Sequence, residues 1–229
     1  MDINELIKKA EAGDKVAQYE LGRCYDKGID VEQNEEKAAE WYARSALQGY
    51  APAQYNLGVC YDNGMGVEQS CEKAAELYLA AALQGDSAGQ YNLGLCYYYG
   101  EGVDQSYEKS VEWFIKAAEA GDRDAQFNLG LAYDSGVGAS KSYANAIKWF
   151  TKAALQGDEK SQYNLGTCYF NGYGVEQSYE KAVIFLTQSA EKGHRLAQRA
   201  LALCYEEGLG VEKDLAKARE LYKKSNKAE

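Results

Sequence analysis

The tripeptide Asn-Leu-Gly recurs at Asn56-Leu57-Gly58, Asn92-Leu93-Gly94, Asn128-Leu129-Gly130 and Asn164-Leu165-Gly166, 36 residues apart each time. Variants stand one period outside on either side, at Glu20-Leu21-Gly22 and Ala200-Leu201-Ala202. Two further columns keep the same register: Gln18, Gln54, Gln90, Gln126, Gln162 and Gln198, and Tyr25, Tyr61, Tyr97, Tyr133, Tyr169 and Tyr205. A constant period of this length through most of a 229-residue chain restricts the fold to stacked copies of one supersecondary unit, each too small to bury its own apolar face.

Residues 50–85 show what that unit is. Ala53, Leu57, Cys60 and Tyr61 fall at i, i+4, i+7 and i+8, one face of a helix. Gly58 sits on that helix, where a missing side chain allows a neighbouring helix close approach. Gly64-Met65-Gly66-Val67 breaks it, glycine supplying the left-handed backbone of a C-cap and tight turn. Ser70 is the expected N-cap of a second helix, and its column holds Asn34, Ser106, Ser142, Ser178 and Asp214, all good capping residues. Ala74, Leu77, Tyr78, Ala81 and Ala82 form the second stripe; Gly85 ends the helix and Asp86 caps the next. A single proline among 23 glycines agrees with helices punctuated by glycine turns. The expected organisation is one repeat domain over 1–229. It has a capping helix at 2–13 and repeats at about 14–49, 50–85, 86–121, 122–157, 158–193 and 194–229.

Charge narrows the function classes. The net charge is −10 and no Lys/Arg cluster stands out, which argues against a face for nucleic-acid phosphate or for an anionic membrane. The acidic residues are spread through every repeat, which reads as solubility and, secondarily, as attraction to a basic partner. No apolar run reaches the roughly 18–20 residues that span a bilayer. The start, Met1-Asp2-Ile3-Asn4-Glu5, lacks a signal-peptide layout, so a cytoplasmic chain is expected.

The string A-Q-Y-N-L-G-x-C-Y-x-x-G-x-G-V, followed by K-A-x-x-W-x-x-K-A-A-x-x-G, resembles the Sel1-like repeat, a relative of the tetratricopeptide repeat. The resemblance covers essentially the whole chain. Departures are few: Asp30 replaces the second turn glycine, Ala139 the valine, and Ala202 the helix glycine. The resemblance implies an all-α fold: a right-handed α/α superhelical solenoid of antiparallel helix pairs. It also implies a role as a protein–protein interaction scaffold or adaptor. No cofactor is expected.

In the tetratricopeptide relatives the Leu-Gly-x-x-Tyr helix lines the concave groove, and the residue before Leu-Gly points into it. Carried over, Asn56, Asn92, Asn128 and Asn164 form a ladder whose amides could clamp the backbone of an extended peptide. The competing readings are inter-repeat hydrogen bonding and simple copying by repeat duplication. Nearby columns vary. One runs Arg23, Val59, Leu95, Leu131, Thr167, Leu203; a second runs Asp26, Asp62, Tyr98, Asp134, Phe170, Glu206; a third includes Tyr99. Leu95, Leu131, Tyr98, Tyr99 and Phe170 are the expected anchors. Asp62 and Asp134 suggest Lys or Arg on the partner.

Catalytic and metal chemistry is not expected. Cys24, Cys60, Cys96, Cys168 and Cys204 share a column with Ala132, the mark of a small buried apolar site. Cysteine-rich relatives use two cysteines per repeat; here Cys71 is the one candidate for a pairing, with Cys60. His194, the single histidine, takes the place of Asp86, Asp122 and Asp158 and reads as a surface or cap residue. The Gly-x-Gly-Val turns follow helices and lack the Gly-Lys-Ser/Thr of a phosphate loop. Two alternatives to an adaptor remain: a self-assembling solenoid, and a β-lactam-directed hydrolase of the type suggested for some cysteine-rich relatives. The polar run Lys223 to Glu229 favours a monomer.

Overall fold

The structure, a computed structural model, describes residues 2–226. Met1 and the end of the polar C-terminal run, 227–229, lie outside them. Thirteen helices and no strand occur among the described residues. They fall into two compact units, Met1–Asp122 and Arg123–Glu229. The first holds α1 (Ile3–Glu11), α2 (Lys15–Lys27), α3 (Glu35–Leu47), α4 (Ala51–Asn63), α5 (Cys71–Leu83), α6 (Ser87–Tyr99) and α7 (Tyr107–Glu119). The second holds α8 (Arg123–Ser135), α9 (Tyr143–Leu155), α10 (Glu159–Asn171), α11 (Tyr179–Glu191), α12 (Arg195–Glu207) and α13 (Leu215–Ser225). The fold class is that of a helix-pair solenoid with a 36-residue repeat.

The helix ends follow from capping chemistry. Ser70 accepts the Lys73 N–H to start α5, and Ser106, Ser142 and Ser178 do the same for α7, α9 and α11. Asp14, Asp86 and Asp158 start α2, α6 and α10. Gly64 ends α4 at φ 70°, ψ 28°, its N–H returning to the Cys60 carbonyl. Gly66 then turns at φ 68°, and a Cβ there would run into the backbone of Glu35, at the start of the preceding second helix. Asp30, which departs from glycine in this column, keeps a positive φ of 58°. It is exposed, and a short side chain that bonds locally tolerates this region.

Packing within a pair is close. Leu21, Leu93, Leu129 and Leu165 are fully buried, and so are Tyr78 and Phe150 from the facing second helices. The tyrosine column at Tyr61, Tyr97, Tyr169 and Tyr205 is half-buried, each ring covered by a lysine ammonium of the following helix, at 4.9 Å for Lys73 and 4.3 Å for Lys217.

Between repeats, the glutamine column acts as a fastener. Gln18, Gln54, Gln90, Gln162 and Gln198 each donate to a carbonyl at the end of the preceding second helix, eight residues back. The amide oxygen accepts in turn from a second glutamine thirty residues on: Gln48 to Gln18 at 2.8 Å, Gln84 to Gln54 at 2.7 Å, Gln156 to Gln126 at 2.9 Å. In the third repeat that second position is Ala120, and the Gln90 amide oxygen is buried without a partner.

Candidate interaction surface

The first helix of each pair carries the asparagine column, one position before the buried leucine. Asn56, Asn92, Asn128 and Asn164 are all half-buried, because the adjacent leucine must turn fully inward. In the N-terminal unit two of them have partners in the fold. The Tyr19 hydroxyl of the preceding repeat faces the Asn56 amide, and the Tyr55 hydroxyl faces that of Asn92. Burial pushes the Tyr19 and Tyr55 phenols up, and the facing amides oppose it. Asn92 Nδ2 also donates to the Ala88 carbonyl at 3.0 Å. Asp62 is similarly engaged, its Oδ2 accepting from the Tyr78 hydroxyl at 3.2 Å. Burial, then the Asp62 charge, pushes the Tyr78 phenol up, so it remains a donor.

The aromatic positions of this unit form one cluster. Tyr98 meets Tyr99 edge-on at 5.0 Å and Tyr107 at 5.2 Å. Tyr99 is 61% exposed, against 39% for Tyr98, and Leu95 is half-buried. Gln105 donates to the Tyr98 carbonyl at 2.8 Å and holds the turn beneath them.

The C-terminal unit is organised differently. Asn164 and Asp134 line one cleft of about 160 Å³, with Tyr143, Phe150, Thr167 and Tyr173 around them. Among the described residues neither the Asn164 nor the Asp134 side chain makes a hydrogen bond or ion pair within the fold. Tyr143 and Tyr173 stack at 5.3 Å, 12° from parallel. A second cleft, of about 190 Å³, opens across Thr167 and is lined by Phe170, Leu186 and Leu203. Phe170 meets Tyr179 edge-on at 5.1 Å, and Leu131 is 39% exposed. The sequence reading selected Asn164, Asp134 and Phe170 but missed Tyr143 and Tyr173. An aromatic at 173, where the column otherwise holds Ile29, Met65, Glu101, Val137 and Leu209, was the available signal.

Four of the six cysteines are buried. All six cysteines are free. Burial pushes the thiols of Cys60, Cys168 and Cys204 up to about 11 and that of Cys96 to about 12. His194 caps α12, its Nδ1 accepting from the Ala197 N–H at 3.2 Å, with its ring 4.8 Å from that of Tyr163. Among the described residues no three of histidine, cysteine, aspartate and glutamate converge as a metal ion requires. No helix among them is long and apolar enough to cross a membrane.

The sequence pattern of the Sel1 repeat matches six times in succession, at 15–50, 51–86, 87–122, 123–158, 159–194 and 195–228. The chain belongs to the Sel1 repeat family. Solved structures agree. A protective antigen present in uropathogenic Escherichia coli strains, displaying an SLR fold, is 40% identical with a TM-score of 0.95, over 98% of this chain and 48% of that one. The present chain therefore spans about half the length of that antigen. A Sel1 repeat protein from Oxalobacter formigenes is 33% identical with a TM-score of 0.81, over 95% of this chain and 87% of its own. No curated protein matches. Within the Sel1 family frame, the leucine, glycine and glutamine columns are the stacking apparatus. The columns beside the asparagines vary from repeat to repeat.

Proposed function

We propose that this Sel1-repeat chain is a non-enzymatic interaction scaffold that binds an extended peptide or a helix of a partner protein along its asparagine-bearing first helices. The observation that carries the reading is the asparagine column itself. Half-buried amides, one in each of the four inner repeats, sit beside positions that expose Leu131, Tyr98 and Tyr99. An amide both donates and accepts, so it suits a peptide backbone. Exposed aromatic and aliphatic side chains suit the anchors of an interface. In the N-terminal unit the surface comprises Asn56, Asn92, Asp62, Leu95, Tyr98 and Tyr99. In the C-terminal unit it comprises Asn128, Asn164, Leu131, Asp134 and Phe170. Asp62, Asp134 and the net charge of −10 favour a partner carrying Lys or Arg. A monomer in the cytoplasm, where thiols stay reduced, completes the proposal.

Panning a displayed library of short random peptides against the immobilised protein tests it. Enriched peptides should lose about tenfold in affinity on Asn164→Ala, equivalent to about 1.4 kcal/mol. They should be indifferent to Leu155→Ser, at a position 84% exposed on α9. Enrichment of no peptide, or peptides that respond to Leu155→Ser and not to the asparagines, would remove the reading.

A further inference from the structure

The fourth repeat departs from the second and the sixth at one position, and from the first and the second at another. In the second repeat Asp62 accepts from the Tyr78 hydroxyl, and in the sixth Glu206 accepts from the Tyr222 hydroxyl at 2.9 Å. The corresponding pair in the fourth repeat is Asp134 and Phe150, and phenylalanine has no hydroxyl to give. The asparagines follow the same logic. Asn56 and Asn92 each face a tyrosine hydroxyl, of Tyr19 and Tyr55, whereas the residue in that column before Asn164 is Phe127. Both losses meet in one place, since Asp134 and Asn164 line the same cleft. A half-buried carboxylate without a donor is unfavourable to keep, and nothing in the stacking requires it there.

We propose that this cleft is the receptor for one cationic side chain, lysine or arginine, of the partner segment. The Asp134 carboxylate supplies the counter-charge and a hydrogen-bond acceptor. The Asn164 amide oxygen supplies a second acceptor. The stacked Tyr143 and Tyr173 rings form an aromatic wall, a favourable neighbour for a cation. Lys141 shows the same attraction within the chain, its Nζ lying 4.7 Å from the centre of the Tyr143 ring. The volume of about 160 Å³ exceeds several waters at about 30 Å³ each, room for the end of one long side chain. Burial and then the Asp134 charge push the neighbouring Cys168 thiol up to about 11, so that thiol adds no charge to the cleft. This assignment rests on the peptide-binding reading above and gives it a specificity position.

The test uses the whole chain and blocked peptides Ala-Ala-X-Ala-Ala with X lysine, arginine, norleucine or glutamate, followed by amide shifts in NMR. Lysine and arginine peptides should move the Asn164 side-chain amide and Thr167 saturably; norleucine and glutamate peptides should not. Asp134→Asn should weaken the effect at least tenfold. Phe150→Tyr and Phe127→Tyr restore the residue this chain carries elsewhere in each column, so they should fold, engage Asp134 or Asn164 internally, and weaken binding several-fold. Equal response to norleucine and lysine, no response to any peptide at Asn164, or full binding by Asp134→Asn would overturn the assignment. If peptides move Asn56 and Asn92 while Asn164 stays still, the assignment fails and the broader peptide-binding reading stands. If the panning experiment yields no peptide as well, both fail.

Discussion

The ring of Tyr78 lies directly against Gly58: a Cβ built on the glycine would stand 2.8 Å from the ring edge. The same relation joins Gly22 to Tyr42, Gly94 to Phe114 and Gly130 to Phe150. Gly58→Ala gains about 1 kcal/mol of helix propensity but forces a fully buried ring to move, at a cost of about 1–3 kcal/mol. The expected outcome is net destabilisation of about 1 kcal/mol, read as a lowered urea midpoint at unchanged slope. Ala202 shows where the added methyl is accepted, opposite Tyr222 on α13, which is only half-buried. A midpoint that rises in Gly58→Ala would show the contact to be compliant.

The buried Gln90 amide oxygen has no donor because Ala120 stands where the first, second and fourth repeats place glutamine. Ala120→Gln should supply it, as Gln84 does for Gln54 at 2.7 Å. Satisfying such an atom stabilises by about 0.5–1.5 kcal/mol. The check is thermal unfolding of Ala120→Gln against Ala120→Ser, which is too short to reach; an equal gain in both would discard the explanation.

Ser110 is buried on α7 with its Oγ unpartnered, in a column that otherwise holds Ala38, Ala74, Ala146, Ala182 and Ala218. Ser110→Ala removes a desolvated hydroxyl and should stabilise by about 1 kcal/mol. Calorimetry that finds the variant less stable would mean that the hydroxyl has a role in the fold.

His194 makes its cap with a neutral ring, and burial holds its pKa below the ordinary value of 6.5. The unfolded chain therefore takes up this proton more readily than the folded one, and stability rises with pH through this window. The contribution is present above 6.5 and is lost as pH falls below it. His194→Asp installs the cap used at Asp86 and Asp158 and should flatten the stability profile between about pH 7 and pH 5, above the carboxylate range. Superimposable profiles for the two proteins would contradict this.

The stacking apparatus was legible in the sequence because it is constant. Leucine, glycine and tyrosine at fixed offsets report the need of each pair to bury one face, and the serine and aspartate columns report caps whose geometry is local. The asparagine column was visible as letters and opaque as chemistry. The partners of Asn56 and Asn92 sit on the preceding repeat, adjacent only after stacking. Phe127 and Phe150 looked like conservative changes within aromatic columns. Their consequence, an unpartnered Asn164 and Asp134, exists only when two columns are read as a contact. Tyr143 escaped notice because its column runs Glu35, Cys71, Tyr107, Tyr179 and Leu215, which resembles neutral surface variation.

The glutamine fastener also sets the grammar by which such arrays can be recombined. Each Gln18-type residue reaches back eight positions and is answered thirty positions later, so any 36-residue cassette cuts across one of these bonds wherever it begins. Exchange between arrays is silent when donor and recipient agree at the answering position. A cassette carrying Gln48 or Gln84 leaves its neighbours whole, whereas one carrying Ala120 imports an orphaned oxygen with it. One letter per repeat thus determines whether a shuffled array inherits its stability or must evolve it again.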